Sequence, residues 1–198
     1  MLNIILFGSP GSGKGTQAMN IIYRYRLKHL STGDILRAEI SDGTASGLEA
    51  KYYIDNGEMV PDNLVIDMVR ERIHCNLSEG FIFDGFPRNI SQAQVLDEIL
   101  KENNSSVSLL IELDVEHTEL VRRLINRGKT SGRSDDINLH IIEKRIKIYH
   151  EETKPVIDYY KAQDKFLSIN GMGRIDAVFS RICKAIAEKT GNLRPFIN

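Results

Sequence analysis

The 198-residue sequence is poor in cysteine and lacks any long apolar run. Its two cysteines, Cys75 and Cys183, form no CxxC pair, which excludes a four-thiolate zinc site and a disulfide framework. This scarcity favours a reducing compartment, so we expect a cytoplasmic protein. No stretch approaches the roughly 18 apolar residues of a membrane span, and the N-terminus does not resemble a signal peptide.

An excess of charge of one sign is also missing. The chain has 26 Lys and Arg against 27 Asp and Glu, a net charge of −1. A globally basic nucleic-acid-binding protein is therefore not expected. Apolar residues make up 41% and charged residues 27%, which is ordinary for a globular chain. The length predicts one domain, with room for small inserted lobes.

Short apolar runs predict strands, and they alternate with helical patterns. The predicted strands are Asn3–Phe7, Phe81–Phe83, Val107–Leu113 and Lys165–Ile169. The helices are predicted from 14 to about 25, from Leu64 behind a cap at Asp62, from Leu120 to a stop at Gly128, and from Ile175 to Ile186 ahead of Gly191. This alternation predicts a parallel sheet covered by helices on both faces, with ligands at the carboxyl ends of the strands.

Two segments fit the alternation poorly. Residues 31–60 hold two short helical patterns with turn signals at Asp42-Gly43 and Asn56-Gly57. Residues 126–136 are polar and turn-rich. Both are interpreted as small lobes that project from the edge of the sheet.

A glycine-rich loop follows the first predicted strand. Gly8 to Lys14 matches G-x-x-x-x-G-K and opens a predicted helix, which is the context that such a phosphate-binding loop requires. Backbone N–H groups and the helix N-terminus would hold phosphate oxygens, and Lys14 would add a full charge. The hydroxyl of Thr16 stands one position beyond the usual magnesium ligand. The motif predicts binding of a nucleoside triphosphate, and we find no guanine-reading motif.

Three further runs accompany this loop in a fixed order: STGDILR at 31–37, DGFPR at 84–88, and the arginines between 122 and 145. Together with GSPGSGKGTQ they resemble the adenylate kinase family of nucleoside monophosphate kinases, over nearly the whole chain from Ile4 to about Ile186. The resemblance implies a three-layer α/β P-loop NTPase fold with a five-stranded parallel sheet. It also implies one domain, 1–198, with a nucleoside-monophosphate lobe at 31–60 and a short lid at 126–136.

The resemblance implies reversible transfer of the terminal phosphoryl group of ATP to AMP, giving two ADP. The catalytic residues would be Lys14, Asp84, Arg88, Arg127, Arg133 and Arg145. The ATP site would comprise Gly11, Ser12, Gly13, Lys14, Gly15, Thr16, Arg123, Arg127 and Gly173. The AMP site would comprise Thr32, Arg37, Glu58, Met59, Val60, Gly85, Phe86, Pro87, Arg88, Gln92, Arg133 and Arg145. Arginine suits this chemistry because its planar fork binds phosphate oxygens in pairs.

One irregularity lies between Asp136 and Arg145, where the chain has one residue more than is usual in the family. Arg145 is therefore assigned by counting back from Tyr149, since the spacing on that side matches the spacing in the family. The insertion is expected to extend a loop or shift a helix start near 137–142. Arg145 could otherwise pair on the surface with a neighbouring acid. Asp135 and Asp136 are left open, either bonded to the lobe or solvated.

The resemblance implies Mg²⁺ carried by ATP, with Asp84 reaching it through a water molecule. The short lid lacks the cysteines that bind zinc in long-lid members, so no zinc is expected. Expected partners are ATP, AMP and ADP, without nucleic acid or membrane, and the chain is expected to be a monomer.

Two alternatives remain at this point. A short lid also resembles the UMP/CMP kinases, although Thr32 stands where those have alanine, and Gln92 stands near their asparagine. Thr32 would then act as a helix cap, and Gln92 would be solvated. A non-enzymatic P-loop nucleotide-binding module is the other alternative, but it needs no second cluster of arginines.

Overall fold

The computed structural model describes residues 1–75 and 80–191. Its centre is a parallel sheet of five strands in the order β2-β3-β1-β4-β5. The strands are β1 (Ile4–Phe7), β2 (Lys28–Ser31), β3 (Phe81–Asp84), β4 (Leu109–Asp114) and β5 (Phe166–Asn170). The tail from 192 to 198, to which the sequence analysis assigns no role, lies outside the described residues.

Helices cover both faces of this sheet. They are α1 (Lys14–Tyr25), α2 (Thr32–Asp42), α3 (Ala45–Asp55), α4 (Asp62–His74), α5 (Ile90–Glu102), α6 (His117–Ser131), α7 (Leu139–Ile148), α8 (Pro155–Lys161) and α9 (Ile175–Thr190). A 3₁₀ turn at Ser134–Asp136 links α6 to α7, and a π-helical segment at Tyr149–Thr153 links α7 to α8. Within residues 1–75 and 80–191, no helix is long and apolar enough to cross a membrane.

The central strand β1 shows why the fold has three layers. All four of its side chains are buried, as expected for a strand covered on both faces. Ile5 and Phe7 join the apolar cluster that α4, α5 and α8 form on one face. Ile4 and Leu6 join the cluster that α1 and α9 form on the other. The expected five-stranded parallel sheet of the P-loop NTPase fold is thereby confirmed.

Three details differ from the sequence predictions. Strand β2 was not identified, because it has four residues and its first two are exposed. Asp62 is the first residue of α4 rather than its cap, which is Pro61. Gly128 does not end a helix, since α6 continues to Ser131. A side chain at Gly128 would place its Cβ 2.5 Å from the carbonyl oxygen of Asp136, so this glycine permits a close approach.

The interpretation of residues 126–136 as turn-rich was wrong for residues 126–131, which extend α6. The turn proper begins at Gly132, which has φ 66°. The 3₁₀ turn follows it, and α7 then begins at Leu139 behind the cap Asn138. In residues 31–60, α2 and α3 end near the two predicted turn signals.

Candidate active site

A cleft of about 460 Å³ opens at the carboxyl edge of the sheet. Its floor includes Phe7, Ser31 and Asp84, which end β1, β2 and β3. Residues of α2 and of the segment after α3 line one wall, and residues of α6 and α7 line the other. The cleft therefore lies at the position where parallel α/β sheets bind their ligands.

The phosphate-binding loop lies at the centre of this cleft. Its glycines at 8, 11 and 13 all have positive φ, of 141°, 84° and 96°. A Cβ at Gly8 would lie 2.4 Å from the Oγ of Ser12, so the loop closes tightly around itself. Helix α1 begins at Lys14 without a side-chain cap, which leaves its first N–H groups to an anion.

Lys14 folds back onto the loop. Its Nζ donates to the carbonyl oxygen of Gly8 at 2.6 Å and of Ser9 at 3.1 Å. Burial lowers the pKa of Lys14 to about 8, against the raising effect of Asp84, and nearby arginines lower it further. The lysine is thus held in a strongly positive environment that a phosphate anion would relieve.

Five arginines from three helices and two loops converge on the same cleft: Arg37, Arg88, Arg127, Arg133 and Arg145. Burial, and then the charge of Arg145, lower the pKa of the Arg88 guanidinium. Burial, and then Arg37 and Arg127, do the same for Arg133. Because these guanidiniums repel one another, the cleft favours ligands of high negative charge.

Two neighbouring carboxylates hold part of this cluster in place. Asp136 accepts hydrogen bonds from Arg127 at 2.5 and 2.9 Å and from Arg145 at 2.7 Å. Asp135 pairs with Arg145 at 3.0 Å. Burial alone would raise the pKa of Asp136, but its bonds to the arginines lower it. Both acids are buried, so the solvated alternative for them was wrong, and Arg145 does not pair with a surface acid.

The DGFPR run and the STGDILR run meet on the other side of the cleft. Arg88 donates through Nε to the carbonyl oxygen of Gly85 at 2.8 Å. The hydroxyl of Thr32 donates to that same oxygen at 2.9 Å. Arg37 pairs with Asp34 at 2.5 Å, and Ser31, not Thr32, caps α2.

An apolar slot lies beside these groups. It is formed by Leu36, Ile54, Val60 and Val65, with Gln92 at its edge. Gln92 is 1% exposed, so the solvated alternative for it was wrong. A slot of this composition suits a flat, mostly apolar ring with a few polar atoms at its rim.

Most of the residues that the resemblance singled out line this cleft. Three do not: Ser12, Phe86 and Gly173. Ser12 is buried inside the loop, and Phe86 lies fully buried in the core. Arg123 lines the cleft beside the loop, where its guanidinium donates to the carbonyl oxygen of Ser12 at 3.3 Å.

The two walls of the cleft touch each other. Ser134 donates to Asp55 at 2.6 Å, and Lys144 donates to Glu58 at 2.7 Å. A Cβ at Gly57 would lie 2.9 Å from Ile141, so backbone and side chain are in close contact there. The structure therefore shows the cleft with its walls closed over it.

Sequence reasoning missed two residues at this site. The hydroxyl of Tyr149 donates to Glu112 at 2.9 Å, and its ring lines the cleft beside Phe7. Asp62 was assigned a capping role, but it binds Gln92 and Asn89 instead. The π-helical segment that begins at Tyr149 is a feature often found at functional sites, although no sequence pattern announced it.

The acidic groups of the cleft fit a metal ion that enters bound to a nucleotide rather than one held by the protein alone. Asp84 lies at the floor, with a side chain 15% exposed, close enough to Lys14 to raise the pKa of that lysine. Among the described residues, no cluster of three His, Cys, Asp or Glu could hold a metal ion. A magnesium ion here would thus take most of its ligands from phosphate and water.

Known proteins resemble this chain along most of its length. The family model described as adenylate kinase matches residues 6–165. A curated adenylate kinase of Bacteroides thetaiotaomicron is 50% identical over 94% of this chain and 98% of its own length. Those of Leptospira biflexa and Porphyromonas gingivalis are 46% and 43% identical, again over 94% of this chain, and over 100% and 96% of their own lengths. With its cleft, its phosphate loop and these relatives, the chain belongs to the adenylate kinase family.

Proposed function

We propose that this chain is an enzyme that transfers the terminal phosphoryl group of ATP to AMP, reversibly, giving two ADP. The observation that carries the proposal is the meeting of Lys14 and five arginines in one cleft. One phosphate loop would suffice for a nucleotide switch. A second set of arginines, anchored on α2 and on the loop after β3, supports an acceptor phosphate and argues against a non-enzymatic module.

We assign the donor site to the phosphate loop. The N–H groups at residues 11–16 bind the phosphates of ATP, and Lys14 moves from the carbonyls of Gly8 and Ser9 onto the terminal phosphoryl group. Arg123 and Arg127, on one face of α6, lie beside the adenine ring and the phosphates. Gly173 is placed near the adenine by the resemblance alone, since it does not line the cleft.

We assign the acceptor site to the opposite wall. Arg37 and Arg88 bind the phosphate of AMP, and the apolar slot takes its base. Arg133 and Arg145 bind the group in transfer from the lid side. The acceptor phosphate is already an anion, so the reaction needs positioning and charge stabilisation rather than a general base.

Magnesium is the cofactor that this assignment requires, and it would arrive with ATP and supply positive charge that offsets the charge of the phosphates. Asp84 would hold it through water, and Thr16 is the nearby hydroxyl. No zinc is proposed.

The lobes at 31–60 and 126–136 would open to admit both nucleotides and close to exclude water, which prevents wasteful hydrolysis of ATP. The contacts from Ser134 to Asp55 and from Lys144 to Glu58 support this division, because they join one lobe to the lid and its following helix.

The cleft is complete within a single chain, which supports a monomer with nucleotides as its partners. The free thiols Cys75 and Cys183 agree with a reducing compartment, so the cytoplasm stays our proposal.

A UMP/CMP kinase is the second candidate. Gln92 and Thr32 favour AMP over it, because their polar groups border the slot that would hold a purine.

The proposal is tested by incubating the purified chain with MgATP and AMP and quantifying nucleotides by chromatography. We expect two ADP for each ATP and AMP consumed, and no reaction without AMP. Release of inorganic phosphate from ATP alone, at the same rate with or without AMP, would contradict it.

A further inference from the structure

We propose that Asp62 is a positioning residue for selection of the acceptor base. It holds the side-chain amide of Gln92 in one orientation, so that the site accepts a purine with a hydrogen-bond donor at C6 and rejects one with an acceptor there. The inference rests on the proposed function, in which Gln92 borders the acceptor base.

The two ends of the Gln92 amide have different partners. Its Oε1 accepts the backbone N–H of Arg88 at 2.7 Å. Its Nε2 donates to Oδ1 of Asp62 at 2.7 Å. A backbone N–H can only donate, and an ionised carboxylate can only accept. Turning the amide over would set two donors against each other at Arg88 and two acceptors at Asp62.

Asp62 is itself held by a side chain whose orientation is fixed. The Nδ2 of Asn89 donates to both carboxylate oxygens of Asp62, at 3.1 and 3.0 Å. The Oδ1 of Asn89 accepts the backbone N–H of Gln92 at 2.8 Å and caps α5. Because the cap determines which end of Asn89 faces Asp62, each polar group in this chain of bonds orients the next.

The Gln92 amide keeps one hydrogen and one lone pair after these two bonds, since an amide offers two of each. Gln92 borders the cleft, where these are the groups that a base would meet. Adenine presents an amino donor at C6 beside an acceptor ring nitrogen, whereas hypoxanthine presents a carbonyl acceptor beside a ring N–H. The orientation that Asp62 imposes leaves the amide able to pair with adenine, and hypoxanthine would require the inverted amide.

Asp62 does not line the cleft and so acts through Gln92 rather than on the nucleotide. Its position at the first residue of α4 attaches the amide to a helix of the core. Asp62 therefore affects which base is bound, while the arginines of the cleft bind the phosphates.

The test compares AMP with IMP, which has nearly the same shape but an exchanged donor and acceptor. In Asp62→Asn the new amide offers a donor as well as an acceptor, so position 62 no longer opposes inversion of Gln92 and only the backbone N–H of Arg88 still does. We expect the ratio of kcat/KM for AMP to that for IMP to fall by about tenfold, because a neutral bond replaces the charge-assisted bond that favours one orientation of the amide. With AMP, the change should raise KM more than it lowers kcat, because Asp62 acts on the group that binds the base and not on the phosphates. Asp67→Asn, an exposed change of the same kind on α4, should leave the ratio unchanged.

An unchanged ratio in folded Asp62→Asn overturns the inference, as does an equal loss for both nucleotides, which marks a purely structural role. If Asp62→Asn does not fold, the parent decides the matter: equal kcat/KM for AMP and IMP rules out a held amide. Equilibrium titration of AMP and IMP separates the orienting role of Asp62 from the proposed phosphoryl transfer, because it measures binding without turnover. A parent that binds AMP over IMP in an Asp62-dependent way without transferring phosphate refutes the proposed function and leaves this inference standing.

Discussion

Asp136 binds Arg127 through both carboxylate oxygens, at 2.5 and 2.9 Å, while its side chain is fully buried. The same carboxylate binds Arg145 on α7 at 2.7 Å. One acid therefore joins the end of α6 to α7 and holds two arginines of the cleft at a fixed spacing. Without it, Arg127 would lose this counter-charge, and Arg145 would keep only its pair with Asp135.

We expect Asp136→Asn to destabilise the fold. The substitution removes charge-assisted bonds to partly exposed arginines, a loss of about 2 kcal/mol, which corresponds to about 4 to 8 °C in the melting temperature of a chain of this size. Calorimetry at pH 7 measures this shift. The matched variant Asp176→Asn removes an exposed pair with Arg174 and should shift the melting temperature by far less.

The same pair predicts a pH dependence. The folded-state pKa of Asp136 lies below its ordinary value, so its bonds stabilise the fold at pH values above the ordinary carboxyl range. That stability is lost as the pH falls through the lowered pKa. The difference in melting temperature between the parent and Asp136→Asn should thus be full at pH 7 and shrink below about pH 4. A difference that is constant from pH 7 to pH 3 would contradict the ion pairing.

Lys14→Ala should lower turnover by at least about two orders of magnitude, the scale of losing one charge-stabilising donor. Lys14 contacts the carbonyls of the phosphate loop and has no equivalent cation within that loop. Steady-state assays give the loss, and Lys184→Ala, an exposed change on α9, serves as control. Near-parental turnover in a folded Lys14→Ala would remove the lysine from the mechanism.

The lowered pKa of Lys14, about 8, predicts how ATP affinity varies with pH. Bound phosphate favours the charged lysine and raises its pKa, so binding takes up a proton when the free lysine is neutral. The affinity for ATP should be full below pH 8 and fall as the pH rises through about 8. Titration calorimetry in buffers of different ionisation enthalpy detects the proton. Lys14→Arg, which stays charged, should abolish the effect, and its persistence there would contradict the assignment.

Arg88→Lys should weaken AMP binding and turnover while ATP binding stays close to the parent. The lysine keeps the charge but loses the planar fork that binds two phosphate oxygens at once. Binding of each nucleotide is measured separately, with Arg122→Lys, an exposed change on α6, as the control. Loss of ATP affinity with AMP affinity intact would reverse the assignment of donor and acceptor sites.

The sequence predicted the sheet well because buried parallel strands read as apolar runs, as β1 and β3 do. It did not predict β2, since an edge strand of four residues with two exposed side chains has no such run. Gly128 was interpreted as a helix stop because that is the common use of glycine. Its actual use, contact with the backbone at Asp136, depends on the path of a turn that the sequence does not specify.

Side-chain partners were harder to predict than motifs. The arginines were found from the resemblance, but Asp135 and Asp136 were left open between lobe bonding and solvation. These acids meet the arginines only once α6, the 3₁₀ turn and α7 have folded. The resemblance placed Gln92 in the same site as Arg88, and both line that cleft. Its orienting partner Asp62 lies thirty residues earlier, where no local pattern points to it.

The most direct test of the account is the kcat/KM of the unmutated chain, with MgATP as donor, for AMP, UMP, CMP and GMP under identical conditions. The account predicts that AMP is used best by a wide margin, because it assigns the base of AMP to the apolar slot and Gln92 and Thr32 line the same cleft. A higher value for UMP or CMP than for AMP would contradict it and identify a pyrimidine monophosphate kinase instead.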